Sequence, residues 1–558
     1  MKPSDETSLA NEGDSRSPAV QGYVSRGSEL PGWARFVLPS AADLIFVLLL
    51  VSLSMAPLAQ RLLGDAGIGW HICTGELILH SHTIPRVDPF SSTMHGQPWY
   101  AWEWLYDVAV GLIHHFAGLN GVVFFTAFLI ALTFVLVFRM AVARGAGLPI
   151  AFIMLLLAVF ASSIHFLARP HVLSWLFTLI AFWLLETLEA RGDQRVLFWM
   201  PILILVWVNL HGGFLVAFVM QGAYLVGAWA SKSGDIQDQG EAWRRIRALL
   251  QTGLLMLVAS FANPYGYKLH VHIYRYLSDR FLMDHIDEFL SPNFHGLPQR
   301  CFAVLLLLGI VGMAVNRRRV GVSQLLVLCF AMYTGLYASR NIPVASMLIV
   351  LIVAPMLSKA VEDRVREGES DPGKGRLARW HDFGTRMGQT GVRVRGHAWP
   401  VVVVVLGLWI CFHQGRFGSR SLMSAHFDEK KFPVRAVDLL LRDDMRAPVF
   451  CPDSWGGYLI YRLYPQSQVV VDDRHDLYGP EFLKKYLKIV QVQVDSGQAL
   501  QEMQVRWVLF PRNSALGNFL KTLPGWRGVY EDDTAILLHR TSDESRTGIT
   551  GLLLGSPN

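Results

Sequence analysis

The sequence predicts a polytopic α-helical membrane protein of about eleven transmembrane helices, followed by a small C-terminal α/β soluble domain. Three observations predict it. Of 558 residues, 52% are hydrophobic and only 17% charged, and the mean hydropathy is positive, so there is too little polar surface to cover such a core in water. Apolar stretches of roughly 17–25 residues, enough to cross about 30 Å of hydrocarbon as a helix, recur along the chain. After the last of them, short apolar runs alternate with helix-like segments.

In chain order, residues 1–38 are rich in Ser, Gly, Glu and Asp and read as a disordered cytoplasmic tail. The tail is too polar for a signal peptide, so the first span is expected to be retained. Spans are expected near 41–63, 119–139, 149–166, 171–188, 196–210, 212–231, 248–262, 301–315, 321–338, 342–358 and 398–413, in a membrane module covering 39–415. One more apolar segment, PWYAWEWLYDVAVGLIHHF (98–116), is long enough to cross. In it Glu103, Asp107 and His114 form one helical stripe and Trp102, Leu105, Ala109, Leu112 and Phe116 another, the pattern of a helix lying at the interface.

Charge supports that choice. With 98–116 left out of the count and the N-terminus cytoplasmic, the strongly basic loops all fall inside: Arg139 and Arg144; Arg191 and Arg195; Lys232, Arg244, Arg245 and Arg247; Arg317, Arg318 and Arg319; and the linker 359–397. Counting 98–116 as a span would turn every one of them outward. The positive-inside rule therefore predicts eleven spans, a first outer loop at 64–118 with interfacial helices, and a C-terminal domain outside.

The same parity places another set of residues on the outer face. They are Asp65, His71, Asp88 and Glu103 in the first loop; Arg169 and His171 in ARPH; Asn209 and His211 in WVNLHGG; Asn263 and Tyr265 in ANPYG; Asp287 and Glu288 in IDEFLSPNF; and Arg340 and Asn341 in SRN. Any one of these alone reads as an ordinary interfacial side chain. Six separate loops supplying polar or ionisable groups to one face point to a functional site there, because such groups are costly beside hydrocarbon. The five cysteines (Cys73, Cys301, Cys329, Cys411 and Cys451) are scattered without a CxxC pair, so neither a zinc site nor a disulfide framework is indicated. The modest net charge of +6 gives no reason to expect a nucleic-acid partner.

Residues 424–541 read as the α/β domain, with strands expected in APVFCPD, SQVVVDD, RWVLFP and TAILLHR and helices in GGYLIYRL, PEFLKKYLKIV and ALGNFLKTL. A mostly parallel sheet with helices on its faces is expected, and 542–558 read as a disordered tail. The cluster DDRHD, Asp472, Asp473, Arg474 and Asp476 among it, follows a strand directly, where open α/β sheets bind ligands. Asp453 and Trp455 end the preceding strand and are expected to face the same crevice. A purely structural network of Arg474 with its neighbouring aspartates is the other reading.

Carboxylates on one wall and arginines on another suit glycosyl transfer from a lipid-phosphate sugar. A carboxylate takes the proton from the acceptor hydroxyl, and cationic or metal charge stabilises the departing phosphate. Asp65 is the first choice for the base and Glu103 the second. Arg169 and Arg340 are the candidates for phosphate, since a guanidinium can grip two oxygens at once. His71, His171, Asn209, His211 and Glu288 are candidates for binding the donor phosphate or sugar. The histidines could alternatively ligate a divalent metal, Mg or Mn.

The outer Asp after the first span, IPRVDPFS, the PWYAWEWL helix, the basic-ended FRMAVARG and the outer ARPH together resemble the GT-C membrane glycosyltransferases. The resemblance is to the bacterial branch grouped with protein O-mannosyltransferases and lipid A aminoarabinose transferases, glycosyltransferase family 39-like. GWHICTG, DPFS, EWL, RPH, NLHGG, NPYG, SWGGYLIYRL and DDRHDLYG look like a subgroup of that clan. The resemblance implies a polyprenyl-phosphate sugar donor, a lipid, glycan or protein acceptor, a site on the outer face of a bacterial inner membrane, inversion at the anomeric carbon, and a catalytic aspartate mapping to Asp65. One departure stands out: relatives often carry an acidic residue just after the arginine of the second outer loop, where ARPH has His171. Glu103 and Glu288 are the candidates to replace it.

Two other classes fit parts of the pattern. A transporter or flippase would place polar groups near mid-bilayer on broken helices and would show a repeat between halves, and no repeat is visible. A non-enzymatic envelope assembly protein would use the tail domain to bind a partner and would not require the carboxylate and arginine set.

Overall fold

The structure, a computed structural model, describes residue 33 and residues 37–541, apart from 232–235, 317–319, 444 and most of 368–396. Nearly all of the tail expected at 1–38, the tail at 542–558 and most of the basic linker 359–397 lie outside the described residues, as do Lys232 and Arg317, Arg318 and Arg319.

The chain begins with α1 (Ala41–Ser54), whose Ser40 and Asp43 form a reciprocal capping box. The first span was expected as one run to residue 63. It breaks instead at Met55, which is extended, and at Pro57, which lacks the N–H a continuing helix needs, and a short helix Leu58–Leu62 follows. Next come α2 (Gly67–Ser81) and α3 (Trp104–Ala143), then α4 (Leu148–His165), α5 (His171–Arg191), α6 (Gln194–Trp207), α7 (Gly212–Ala230) and α8 (Ile236–Ser260). The membrane module ends with α9 (Tyr267–Ser278), α10 (Leu297–Val315), α11 (Val322–Tyr337), α12 (Ser339–Glu367) and α13 (Ala398–Phe412). Among the described residues, α3, α4, α5, α7, α10 and α12 are long and apolar enough to cross a membrane, and α1, α6, α11 and α13 are shorter apolar helices. The span expected at 248–262 is the apolar second half of α8, whose first half carries Arg244, Arg245 and Arg247.

The segment expected as an interfacial helix over 98–116 is helical only from Trp104 and runs on into the next span, bent at Gly118 (φ 58°, ψ −158°). Its polar stripe does not face water. Asp107 is fully buried against α2, and His114 bonds Glu76 of α2 at 2.7 Å, while Leu112 and Phe116 of the apolar stripe stay 44% and 61% exposed. The amphipathic period thus reports a polar face packed on α2 and an apolar face left for lipid. At the opposite end of the bundle, Arg144 of α3 pairs with Glu186 of α5 and reaches the Leu351 carbonyl of α12. Tyr224 of α7 and Gln324 of α11 bond the same Glu186.

The C-terminal domain contains α14 (Val434–Arg442), β1 (Val449–Phe450), α15 (Asp453–Leu463), α16 (His475–Val490), β2 (Trp507–Pro511), α17 (Ala515–Thr522), β3 (Trp526–Glu531) and β4 (Ala535–Arg540). Its sheet has the order β1-β2-β4-β3, and only β1 and β2 run parallel. The mostly parallel expectation is therefore corrected to a mixed sheet. The expected strand SQVVVDD contributes only isolated bridges, from Val469 to Val449 and to Ser91 of the first outer loop. Its backbone groups are shared with that loop, since Ser92 N–H donates to the Val469 carbonyl and Val469 N–H to that of Phe90. On its other side it meets β1, Val449 N–H donating to the Gln468 carbonyl and Val470 N–H to that of Val449, so the segment joins the loop to the edge of the sheet.

Candidate active site

The ARPH turn is tied to the end of the first span by a hydrogen bond from Ala168 N–H to the Leu62 carbonyl, which brings Arg169 beside Asp65. Arg169 Nη2 lies 2.8 Å from Asp65 Oδ1 and 2.8 Å from Asp473 Oδ2, so one guanidinium nitrogen is shared by two carboxylates. Gly67 N–H donates to Asp65 Oδ1 at 2.7 Å, and Trp70 Nε1 donates to Asp473 Oδ1 at 3.0 Å. Gly67 has no side chain for a reason: a Cβ there would stand 2.6 Å from Asp473 Oδ2 and 2.9 Å from Asp65 Oδ1. Burial and the neighbouring Asp65 push Asp473 up to about 7 against the opposing pull of Arg169. Burial disfavours the charge on Arg169, but Asp65, Asp473 and Glu288 outweigh it and keep the guanidinium protonated.

On the far side of Arg169, Glu288 Oε2 lies 4.0 Å from Nη1, and Glu288 Oε1 lies 3.3 Å from Arg340 Nη1. Burial would raise Glu288, but Arg340 and Arg169 prevail and hold it at about 2, so it is a fixed anion between two arginines. Arg340 also lies over the Phe289 ring, 4.5 Å from its centroid. His171 bonds the carbonyl of His165.

Glu103 precedes α3 and sits between two imidazoles, 3.9 Å from His71 Nε2 and 3.8 Å from His211 Nε2. His71 is held from behind by Asp107, Nδ1 to Oδ1 at 2.5 Å, and is stacked on Trp70. Burial pushes His71 down. His211 Nδ1 accepts from Gly213 N–H and is 2.7 Å from Ser174 Oγ, which leaves Nε2 to carry the proton that faces Glu103. Burial lifts Glu103 to about 8, against Arg169 and with Asp476 adding to the rise. Glu103 is therefore a neutral acid at pH 7, which suits donating a hydrogen bond better than abstracting a proton.

The remaining expected site residues act as fasteners. Asn209 gives both amide protons to the Leu205 and Ala262 carbonyls and accepts from Trp104 Nε1, while Asn263 bonds the Trp102 carbonyl, so NLHGG and NPYG clamp the start of α3 behind Glu103. Arg474 is buried between Asp472 and Asp88, with Tyr478 completing the Asp472 shell. Breaking such a buried pair from one side costs about 3–5 kcal/mol. Asp476 bonds His272 of α9, and Asp453 bonds His475. Trp455 is buried and donates to the Lys431 carbonyl. Of the crevice expected in the tail domain, only Asp473 reaches the membrane module's charged centre. Sequence reasoning passed over Gly67, Trp70, Asp107 and Ser174 as site components. Trp70 lies within GWHICTG, and Asp107 sits one helical turn after Glu103, but nothing in the spacing points to a partner hundreds of residues away.

A divalent metal does not fit these residues. Among the described residues no group of three His, Cys, Asp or Glu side chains is placed to hold one, and the gap between Asp65 and Asp473 is filled by the Arg169 guanidinium.

The fold is similar to that of solved GT-C membrane glycosyltransferases. The oligosaccharyltransferase AglB from Archaeoglobus fulgidus, solved with an inhibitory peptide and a dolichol-phosphate, aligns with a TM-score of 0.52 at 10% identity, covering 91% of this chain and 74% of AglB. ArnT from Cupriavidus metallidurans bound to undecaprenyl phosphate aligns at 0.44 and 14% identity, over 90% of this chain and 98% of ArnT. The arabinofuranosyltransferase AftD from Mycobacteria aligns at 0.47 and 14% identity, over 90% of this chain and 41% of AftD. No protein-family model matches the sequence, and no curated protein matches it.

Proposed function

We propose that this protein is a glycosyltransferase that moves a sugar from a polyprenyl-phosphate donor to a hydroxyl of an extracytoplasmic lipid, glycan or protein, with inversion at the anomeric carbon. The observation that carries the reading is convergence: Asp65, Arg169, Glu288 and Arg340 come from separate loops and meet within 4.0 Å links of one another. The fold likeness to AglB, a protein solved with dolichol-phosphate, supports a lipid-phosphate donor.

In this reading Asp65 is the general base. Its Oδ1 is engaged by Gly67 and Arg169, and its Oδ2 makes no hydrogen bond among the described residues, so it can receive the acceptor proton. The departing phosphate is met by Arg340 and by Arg169, whose Nε–H is buried without a partner. Neutral Glu103 and the Nε2–H of His211 add donors for sugar or phosphate oxygens. No step is routed through a metal. The site faces outward from a bacterial inner membrane, with the basic ends of the helices in the cytoplasm.

The test is transfer of radiolabelled sugar from membrane lipid in cells producing the unaltered chain or Asp65→Asn, with expression and thermal stability followed in parallel. Loss of a general base is expected to lower transfer by about 10²-fold or more in a folded variant. Equal labelling by the two proteins would remove Asp65 from the mechanism.

A further inference from the structure

The C-terminal domain is not a bystander to the membrane module. Its α15 lies on α2 where two glycines face each other: a Cβ on Gly69 would stand 2.2 Å from the Gly457 carbonyl oxygen, and one on Gly457 would stand 2.3 Å from that of Ala66. The DDRHD segment completes the docking, with Arg474 on Asp88 of the first loop and Asp476 on His272 of α9. Just before these two fasteners stands Asp473, the residue that crosses to Arg169 and Trp70.

We propose that the C-terminal domain is part of the reaction centre, with Asp473 as the positioning residue that makes Asp65 an effective base. This rests on the glycosyl-transfer reading of the same site. The ARPH turn brings no carboxylate of its own. An aspartate paired one-to-one with a buried guanidinium is held as a stable anion and is a poor proton acceptor. When a second carboxylate shares the same Nη2, the single positive charge is divided between two negative ones, and the pair binds a proton far more readily. The acceptor's O–H proton passes to Asp65 as the acceptor oxygen bonds to the anomeric carbon. The carbon–oxygen bond to phosphate breaks, and its electron pair leaves with the lipid phosphate. The groups facing Asp473 are Asp65 and Arg169 across the interface, Glu288 beyond Arg169, and Asp472 and His475 on its own segment. Burial and Asp65 place the titration of Asp473 at about 7, so the charge it sets against Arg169 is gained as pH climbs through that value.

The experiment uses the full chain in membranes, with the sugar-labelled polyprenyl-phosphate lipid fraction of bacterial membranes as donor. Initial rates are followed from about pH 5.5 to about pH 9. The unaltered chain is expected to show an acid limb, its rate rising as pH climbs through about 7. Asp473→Asn is expected to lose about tenfold or more at pH 7 and to lose the limb near 7, because an asparagine cannot ionise. Trp70→Phe keeps the ring but removes the donor that favours the Asp473 anion, and should move the limb to higher pH. Thermal melts identify any variant that fails to fold, and Trp70→Phe then decides through the limb position alone. Unchanged rates and limbs in both variants, with transfer lost in Asp65→Asn, would overturn this inference and leave the glycosyl-transfer reading standing. Absence of transfer by the unaltered chain would overturn both.

Discussion

Glu103 is a carboxylate whose charge is decided by its surroundings. It is enclosed by His71, His211, Arg169 and Arg340, with Asp476, Glu288 and Asp107 nearby, and burial lifts it to about 8. Below that pH it is neutral and donates; above it, the ionised carboxylate would repel a departing phosphate. Transfer is therefore expected to fall as pH rises through about 8, and the fall is expected to vanish in Glu103→Gln, which cannot ionise. Measured pH–rate profiles of the two proteins check this, and an unchanged alkaline limb in the variant would refute it. At this scale the sequence shows which residue types stand on the outer face but not their charge states. His171 is one candidate for donor phosphate or sugar from ARPH alone, and only the fold shows its ring bonded to the His165 carbonyl.

The element that organises the site is α2, packed on α3 by one side and on α15 by another. Its opening GIGWH places Gly67 beneath two carboxylates, Gly69 against Gly457, and Trp70 and His71 toward the tail domain and α3 in turn. Because the close approach to the Ala66 carbonyl leaves no room for a side chain, Gly457→Val is expected to lift α15 off α2. Trypsin cleavage between the modules should quicken and transfer should fall about tenfold or more, since misplacing a site by about 1 Å can cost about 10²-fold. Intact resistance to trypsin with full transfer would count against the docking role. Helices were legible from apolar length and period. The sheet was less so, because VVV over 469–471 has the apolar run of a core strand, and periodicity cannot reveal that it meets β1 by one bridge and the loop after α2 by another. The stripe over Glu103, Asp107 and His114 was likewise visible as a pattern, and only packing on α2 shows that its polar side faces protein.

Across the whole molecule, the fold brings loops from separate span ends together, and charge bias supports the proposed orientation. The orientation predicts that a cysteine replacing Glu481, whose side chain is 87% exposed on the tail domain, reacts with a membrane-impermeant maleimide in intact spheroplasts. A cysteine replacing Arg244 on α8 should react only after lysis, in a background with Cys301 and Cys329 replaced by serine; the reverse pattern would invert the topology. The sequence by itself determined that the chain is membrane-embedded, where most of its helices lie, and which loops carry carboxylates, arginines and histidines, because hydropathy, helical period and charge are local properties. Only the tertiary structure decided that Asp65 and Asp473, hundreds of residues apart, share one nitrogen of Arg169, that Arg474 locks the tail to Asp88, and that Glu103 is uncharged at pH 7. Pairing and burial depend on which distant surfaces the fold presses together, and a local pattern carries no record of them.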